Sequence, residues 1–232
     1  MHKHRIAVGS NLKGKIAEIG FFLGHILRVS DAIVKKRLSQ DFPISSDLDE
    51  LNFFFSAYLN SIQALKDASE LAMDMKNTWE ELSPTYGKFI YYSRTATTHD
   101  GSLPINAGQG LQTYIVGPLR RVDSKGKVKE FEPPLEDAAM LSRNIACEVL
   151  QSIKAMLIEK GADIPSPSHA DLIDHLEASI NSDNFIPHFV KQMMLENRDE
   201  ISSSLSAANF NYARDALSAI ETVRKRFELP IK

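Results

Sequence analysis

Two side chains in this sequence could do proton and phosphate chemistry together: Arg94 and His99, in the stretch Arg94-Thr-Ala-Thr-Thr-His99-Asp100-Gly101. A guanidinium keeps its charge and offers a planar fork of donors that matches phosphate oxygens. An imidazole, with an ordinary pKa near ~6.5, gives or takes a proton around neutrality. Such a pair could converge on a phosphate, His99 moving protons and Arg94 stabilising charge on it. Residues five apart on an ideal helix lie ~140° apart around its axis. Convergence then requires either an irregular helix end or His99 of one chain beside Arg94 of a second, where two-fold symmetry supplies both pairs.

The element that must position the pair is a helix over Ser83–Gly101. Ser83 is a natural N-cap and Pro84 fits the first helical position. Tyr86, Phe89, Ile90 and Ser93 follow helical spacing and can be buried together. Asp100-Gly101 stops the helix, and the β-branched Thr95, Thr97 and Thr98 loosen its last turn. Thr95 and Thr98 join Arg120 and Arg121 as candidate substrate-binding residues. The competing reading needs no chemistry: His99 caps the carbonyls of its own helix, and Arg94 is a surface cation.

Composition narrows the function. The chain has 232 residues, 43% hydrophobic and 25% charged, as expected of a soluble globular protein. A net charge of −3 argues against a broad nucleic-acid surface but leaves room for a small basic pocket. Cys147 is the lone cysteine, so no internal disulfide forms and a reducing, cytoplasmic location is the default expectation. No apolar run reaches the ~20 residues that span a bilayer, and the Ile6–Val8 run is too short for a secretory signal. His169, His175 and His188 lack the spacing of a metal site, and neither metal nor cofactor is expected.

Along the chain, residues 1–11 read as a frayed start, with a long helix over 12–38. Ile16, Ile19, Phe22, Leu23, Ile26, Ile33 and Val34 form its stripe, and Gly20 and Gly24, one turn apart, suggest close helix approach. A second helix over 47–75 buries Leu51, Phe54, Phe55, Tyr58, Leu59, Ile62 and Leu65, its Phe53-Phe54-Phe55 run reading as bundle core. After the helix at 83–101, residues 102–110 read as loop. A β segment covers about 111–132, with Leu119–Val122 and Lys127–Phe131 paired across Asp123-Ser124-Lys125-Gly126. Its basic residues read either as a solvated protective edge or as a phosphate-facing flap. A helix over 135–160 follows, with Cys147 as a small core residue. The Pro/Ser stretch 164–169 marks a boundary between a bundle over 1–163 and a helical extension over 164–232, whose helices are expected near 168–181, 184–197 and 199–228. The fold class is mostly α, an antiparallel helical bundle with an inserted β-hairpin.

The order of these parts resembles the HEPN domain superfamily. An aromatic-rich helix (LNFFFSAYLNSIQALKDA) precedes a Trp-containing connector, then a helix ending in an Arg-x4-His motif. The resemblance covers residues 12–160. It implies a four- or five-helix bundle that dimerises, with the site between protomers. For active members it implies metal-independent RNA cleavage by the residues matching Arg94 and His99, in toxin–antitoxin, antiviral or RNA-processing systems. Partners implied are a second copy, RNA, and a cognate antitoxin or defence protein. The residue after the arginine is commonly Asn, Asp or His in active members and here is Thr95. The alternative is thus an inactive module binding RNA, nucleotide or protein.

Overall fold

The computed structural model describes residues 2–41, 45–99, 103–122, 126–182, 186–207 and 210–231. Helices α1 (His2–Leu38) and α2 (Ser45–Met73) come first, then a single turn α3 (Trp79–Leu82) and α4 (Gly87–His99). Strands β1 (Ala107–Gln109), β2 (Gln112–Tyr114), β3 (Leu119–Val122) and β4 (Val128–Phe131) lead to α5 (Ala138–Lys160). A 3-10 turn (Gly161–Asp163) precedes α6 (His169–Ser182), α7 (His188–Glu196), α8 (Arg198–Ala207) and α9 (Tyr212–Phe227). The fold is mostly α with two small antiparallel strand pairs.

The core forms around α1. Leu12, Ile16, Ile19, Leu23, Ile26, Val29 and Ile33 are all buried, against Leu51, Phe55, Leu59, Ile62 and Leu65 of α2. The two helices run antiparallel: Lys36 pairs with Asp47 at 2.7 Å and Arg28 with Glu50 at 2.9 Å, while Arg5 donates to the Ala72 carbonyl at the far end, 3.0 Å away. Helices α5 and α9 close the other sides of α1. Tyr58 of α2 donates its buried hydroxyl to the Ser142 carbonyl of α5 at 2.9 Å.

Three sequence expectations change. Residues 2–11 are helical rather than frayed, because tertiary contacts hold a polar segment that has little apolar stripe of its own. Arg5 also donates to the Asp163 carbonyl at 2.8 Å, and a Cβ on Gly9 would stand 2.7 Å from Ile164 Cγ2. The helix expected over 199–228 is two helices, the second started by Asn211, whose side chain accepts from the Arg214 N–H at 2.9 Å. The loop at 102–110 contains β1, which pairs with β2 so that Gly108 faces Thr113. That hairpin is held from outside: Arg37 donates to the Gln112 carbonyl, and the Asn106 amide pairs with both backbone groups of Val116 at 2.8 and 2.9 Å.

The expected second hairpin is present, with Leu119 opposite Phe131 and Arg120 opposite Glu130; its turn at 123–125 lies outside the described residues. Of the Phe53–Phe55 run, Phe55 is core. Phe53 is 65% exposed, and Phe54 stacks on His25 with ring centres 4.4 Å apart. The core does not stop at residue 163: Ala216, Ile220, Val223 and Phe227 of α9 belong to it. Among the described residues, α6 to α8 add only Ile180 to the buried apolar set.

The glycines of α1 separate packing from propensity. A Cβ on Gly20 would lie 2.8 Å from Val223 Cγ2, and one on Gly24 3.3 Å from the Phe227 ring, which is the close approach expected there. A Cβ on Gly14 would meet nothing within 4 Å. Gly14→Ala should therefore raise the unfolding free energy by about 0.5–1 kcal/mol, the helix-propensity gain. Gly20→Ala should give no gain or a loss, since Val223 must move. Urea unfolding of both variants checks this; an equal gain at the two positions would contradict the packing.

Candidate functional site

Helix α4 is strapped at its start by Ser83 and α5. The Ser83 N–H closes α3 on the Trp79 carbonyl at 2.9 Å, and its hydroxyl accepts from the Tyr86 N–H at 3.3 Å. The same hydroxyl donates to Glu148 of α5 at 2.6 Å, and Glu148 also accepts from the Thr85 N–H at 3.1 Å. Ser83 thus caps the turn leading into the helix, while regular helix begins at Gly87 rather than Pro84. Gly87 is required there, because a Cβ would overlap the Trp79 backbone. The face expected to be buried is buried: Tyr86, Phe89, Ile90 and Ser93. Tyr86 donates to Glu136 at 2.5 Å and accepts from Asn144 at 3.2 Å. Burial, then the bond to Glu136, pushes its phenol up to about 12.

At the other end, α4 stays helical through His99. Of the threonines expected to loosen this turn, Thr95 and Thr97 instead bond back along it. Thr95 donates to the Tyr91 carbonyl at 2.8 Å and Thr97 to the Arg94 carbonyl at 2.9 Å, a local pairing open to hydroxyls inside helices. Positions 94 and 99 consequently remain ~140° apart around the axis. Arg94 is half-buried, and its Nε is fully buried with no hydrogen-bond partner. Among the described residues no carboxylate forms an ion pair with it. The Ser93 hydroxyl beside it is likewise buried and unpartnered. Thr95 is buried at 5% exposure, so its hydroxyl serves the helix rather than a cleft. The side chains of Thr98, His99 and Arg121, with residues 100–102, lie outside the described part.

The chain leaving α4 is anchored again by Asn52 of α2. Its buried amide accepts from the Ile105 N–H at 2.9 Å and donates to the Ile105 carbonyl at 2.8 Å. Arg120 is 72% exposed and paired with Glu130 across the hairpin at 2.8 Å, as a solvated edge would have it. His169 meets Ser202 at 3.2 Å, and the side chain of His175 is outside the described part. Burial, then Glu148, pushes the Cys147 thiol up, away from nucleophilic use. Among the described residues no group of three or more His, Cys, Asp or Glu is placed to hold a metal, and no helix is long and apolar enough to cross a membrane.

The sequence reading missed a second feature of α4. A cavity of about 420 Å³ lies between α4 and the segment joining β4 to α5, lined by Lys88, Tyr92, Phe131, Glu132 and Glu136 among others. A smaller one of about 260 Å³ adjoins it, shares Lys88 and Tyr92, and reaches Trp79. Tyr92 stacks on Phe131 at 5.0 Å, Tyr91 meets Tyr92 at 5.2 Å, and Trp79 lies 6.5 Å from Tyr91. The available signal was the pair Tyr91-Tyr92: neighbours on a helix point ~100° apart, so one core cannot bury both.

The Tyr86 phenol makes stability fall in alkali. Its pKa is raised in the folded chain, so its contribution is complete below the unfolded value of ~10 and is lost as pH rises toward about 12. Denaturation midpoints of the native chain and of Tyr86→Phe should diverge less as pH climbs through this window; an unchanged difference would contradict the bonded, buried phenol. Comparison with protein-family models, curated proteins and solved structures finds no match for the chain in any of the three.

Proposed function

We propose that the chain is a HEPN-like endoribonuclease, cleaving RNA without metal at a site where two copies bring Arg94 and His99 together. The observation that carries this reading is Arg94 itself. The fold holds its Nε in a fully buried position and, among the described residues, gives it no acceptor. Leaving a buried charged donor unpaired costs roughly 1–3 kcal/mol or more, and a phosphate oxygen met by a turn of the half-buried guanidinium would remove that cost. A surface cation, the bland reading, has no such orphaned donor. The continuous helix through His99 favours the two-chain arrangement, since it removes the irregular helix end that would let one chain supply both groups. In the reaction His99 takes the proton of the 2′-hydroxyl, oxygen attacks phosphorus, and the 5′-oxygen leaves with a proton from water. Arg94 holds the equatorial oxygens as charge develops.

A specific observation favours the second reading, a binding module without catalysis. Thr95 stands where active members commonly have Asn, Asp or His, and its hydroxyl is committed to the Tyr91 carbonyl. It cannot orient the partner imidazole from there.

The two readings part on one assay. Single-stranded RNA incubated with excess chelator should be cut to 2′,3′-cyclic phosphate ends. Arg94→Ala and His99→Ala should each lower the rate by about 100-fold or more. Equal rates in all three chains would remove the nuclease. RNA retained without cleavage would establish the module.

A further inference from the structure

The groove along α4 offers a ligand an aromatic wall, one ammonium and one carboxylate that nothing else among the described residues holds. Tyr92 and Phe131 give it an aromatic wall, continued by Pro133 and Pro134. Lys88 and Glu132 are both exposed at its edge, and neither has a hydrogen-bond or ion-pair partner among the described residues. Glu136 differs, being held by Tyr86 at 2.5 Å. A volume of about 420 Å³ suits a nucleotide-sized ligand. We infer that this cavity is a nucleotide-binding site selective for guanine, with the base on the Tyr92–Phe131 wall, its N1–H and N2–H edge on Glu132, and a phosphate on Lys88.

The occupant follows from using all three chemistries at once. Bases stack on aromatic side chains regardless of identity, so the wall gives affinity without choice. A carboxylate accepts from the adjacent donors of guanine, whereas adenine and uracil offer no matching pair of donors on that edge. A guanidinium or ammonium from a protein would use the wall and Glu132 but leave Lys88 unanswered, whereas a nucleotide engages both; Glu136 is occupied by the Tyr86 hydroxyl. Position matters as well. Residues 88, 92 and 99 fall within about 40° of one another around the axis of α4, and seven residues from Tyr92 to position 99 span about 10 Å. A strand with one base in the groove would lie one or two nucleotides from position 99. In this sense the inference rests on the proposed ribonuclease, for which it supplies the base preference.

Binding is read by Trp79, the single tryptophan, which lines the adjoining cavity. The chain carrying His99→Ala is titrated with guanosine, GMP, AMP and UMP, and with pentaribonucleotides having a central G or A. GMP should bind about tenfold more tightly than AMP, the discrimination expected of a paired hydrogen-bond contact. Glu132→Gln should remove this preference while leaving AMP unchanged. Lys88→Ala should weaken every phosphate-bearing ligand and spare guanosine. Binding by the pentamer alone assigns the groove to a strand, and binding by GMP as well assigns it to free nucleotide; both support the site. No guanine preference, a preference that survives Glu132→Gln, or arginine amide displacing GMP at lower concentration would overturn it. Cleavage is not needed for this readout. Selective binding by a chain that does not cut RNA sinks the nuclease and leaves the groove; cutting without base preference does the reverse.

Discussion

The apolar stripe of α1 is the constraint from which the rest follows. It presents side chains from Leu12 to Ile33 that must be covered on more than one side, and each such burial stabilises by ~1.5–3 kcal/mol. Helix α2 covers one side, and α5 and α9 the others. Gly20 and Gly24 let α9 approach until Val223 and Phe227 touch the α1 backbone region. The ion pairs Lys36–Asp47 and Arg28–Glu50 fix the register of α1 and α2 more than they add stability.

From that frame α4 is held at both ends by polar groups that the apolar seam places. Glu148 on α5 secures its start through Ser83 and Thr85, and Asn52 on α2 secures its exit through both backbone groups of Ile105. Buried polar groups with satisfied partners specify position more than they stabilise. Arg94 contrasts with these anchors: its Nε, like the Ser93 hydroxyl beside it, is buried without a partner. A structural arginine at that depth would be expected to have found a carboxylate or carbonyl.

Periodicity made the helices of the bundle legible, because their stripes are wide and their partners are other helices. The hairpin of β3 and β4 was legible from its turn residues. The first ten residues were not: their helix exists through Arg5 and Gly9 meeting distant backbone and side chains, and no local pattern records that. Strand β2 falls in the stretch read as β-rich, whereas β1, three residues in a stretch read as loop, is fixed by its pairing with β2 and leaves a weak local signal. Helix α9 was assigned to the extension after the Pro/Ser stretch, although its apolar face completes the core of the bundle. At the candidate site, Arg94 was singled out from residue type and spacing, and the regular last turn of α4 was not foreseen, since hydroxyls that disfavour helix in isolation here bond to it. The groove beside Lys88 and Tyr92 joins residues forty positions apart, which no spacing rule connects.

The central claim is that Arg94 and His99 act across two chains. Arg94→Ala and His99→Ala chains, each inactive alone, would be mixed under conditions that exchange subunits, and RNA cleavage measured in chelator. Random pairing makes about half the dimers mixed, each with one intact composite site of two, so activity should return to about a quarter of the native rate. Continued inactivity of the mixture, with subunit exchange verified, would contradict the shared site.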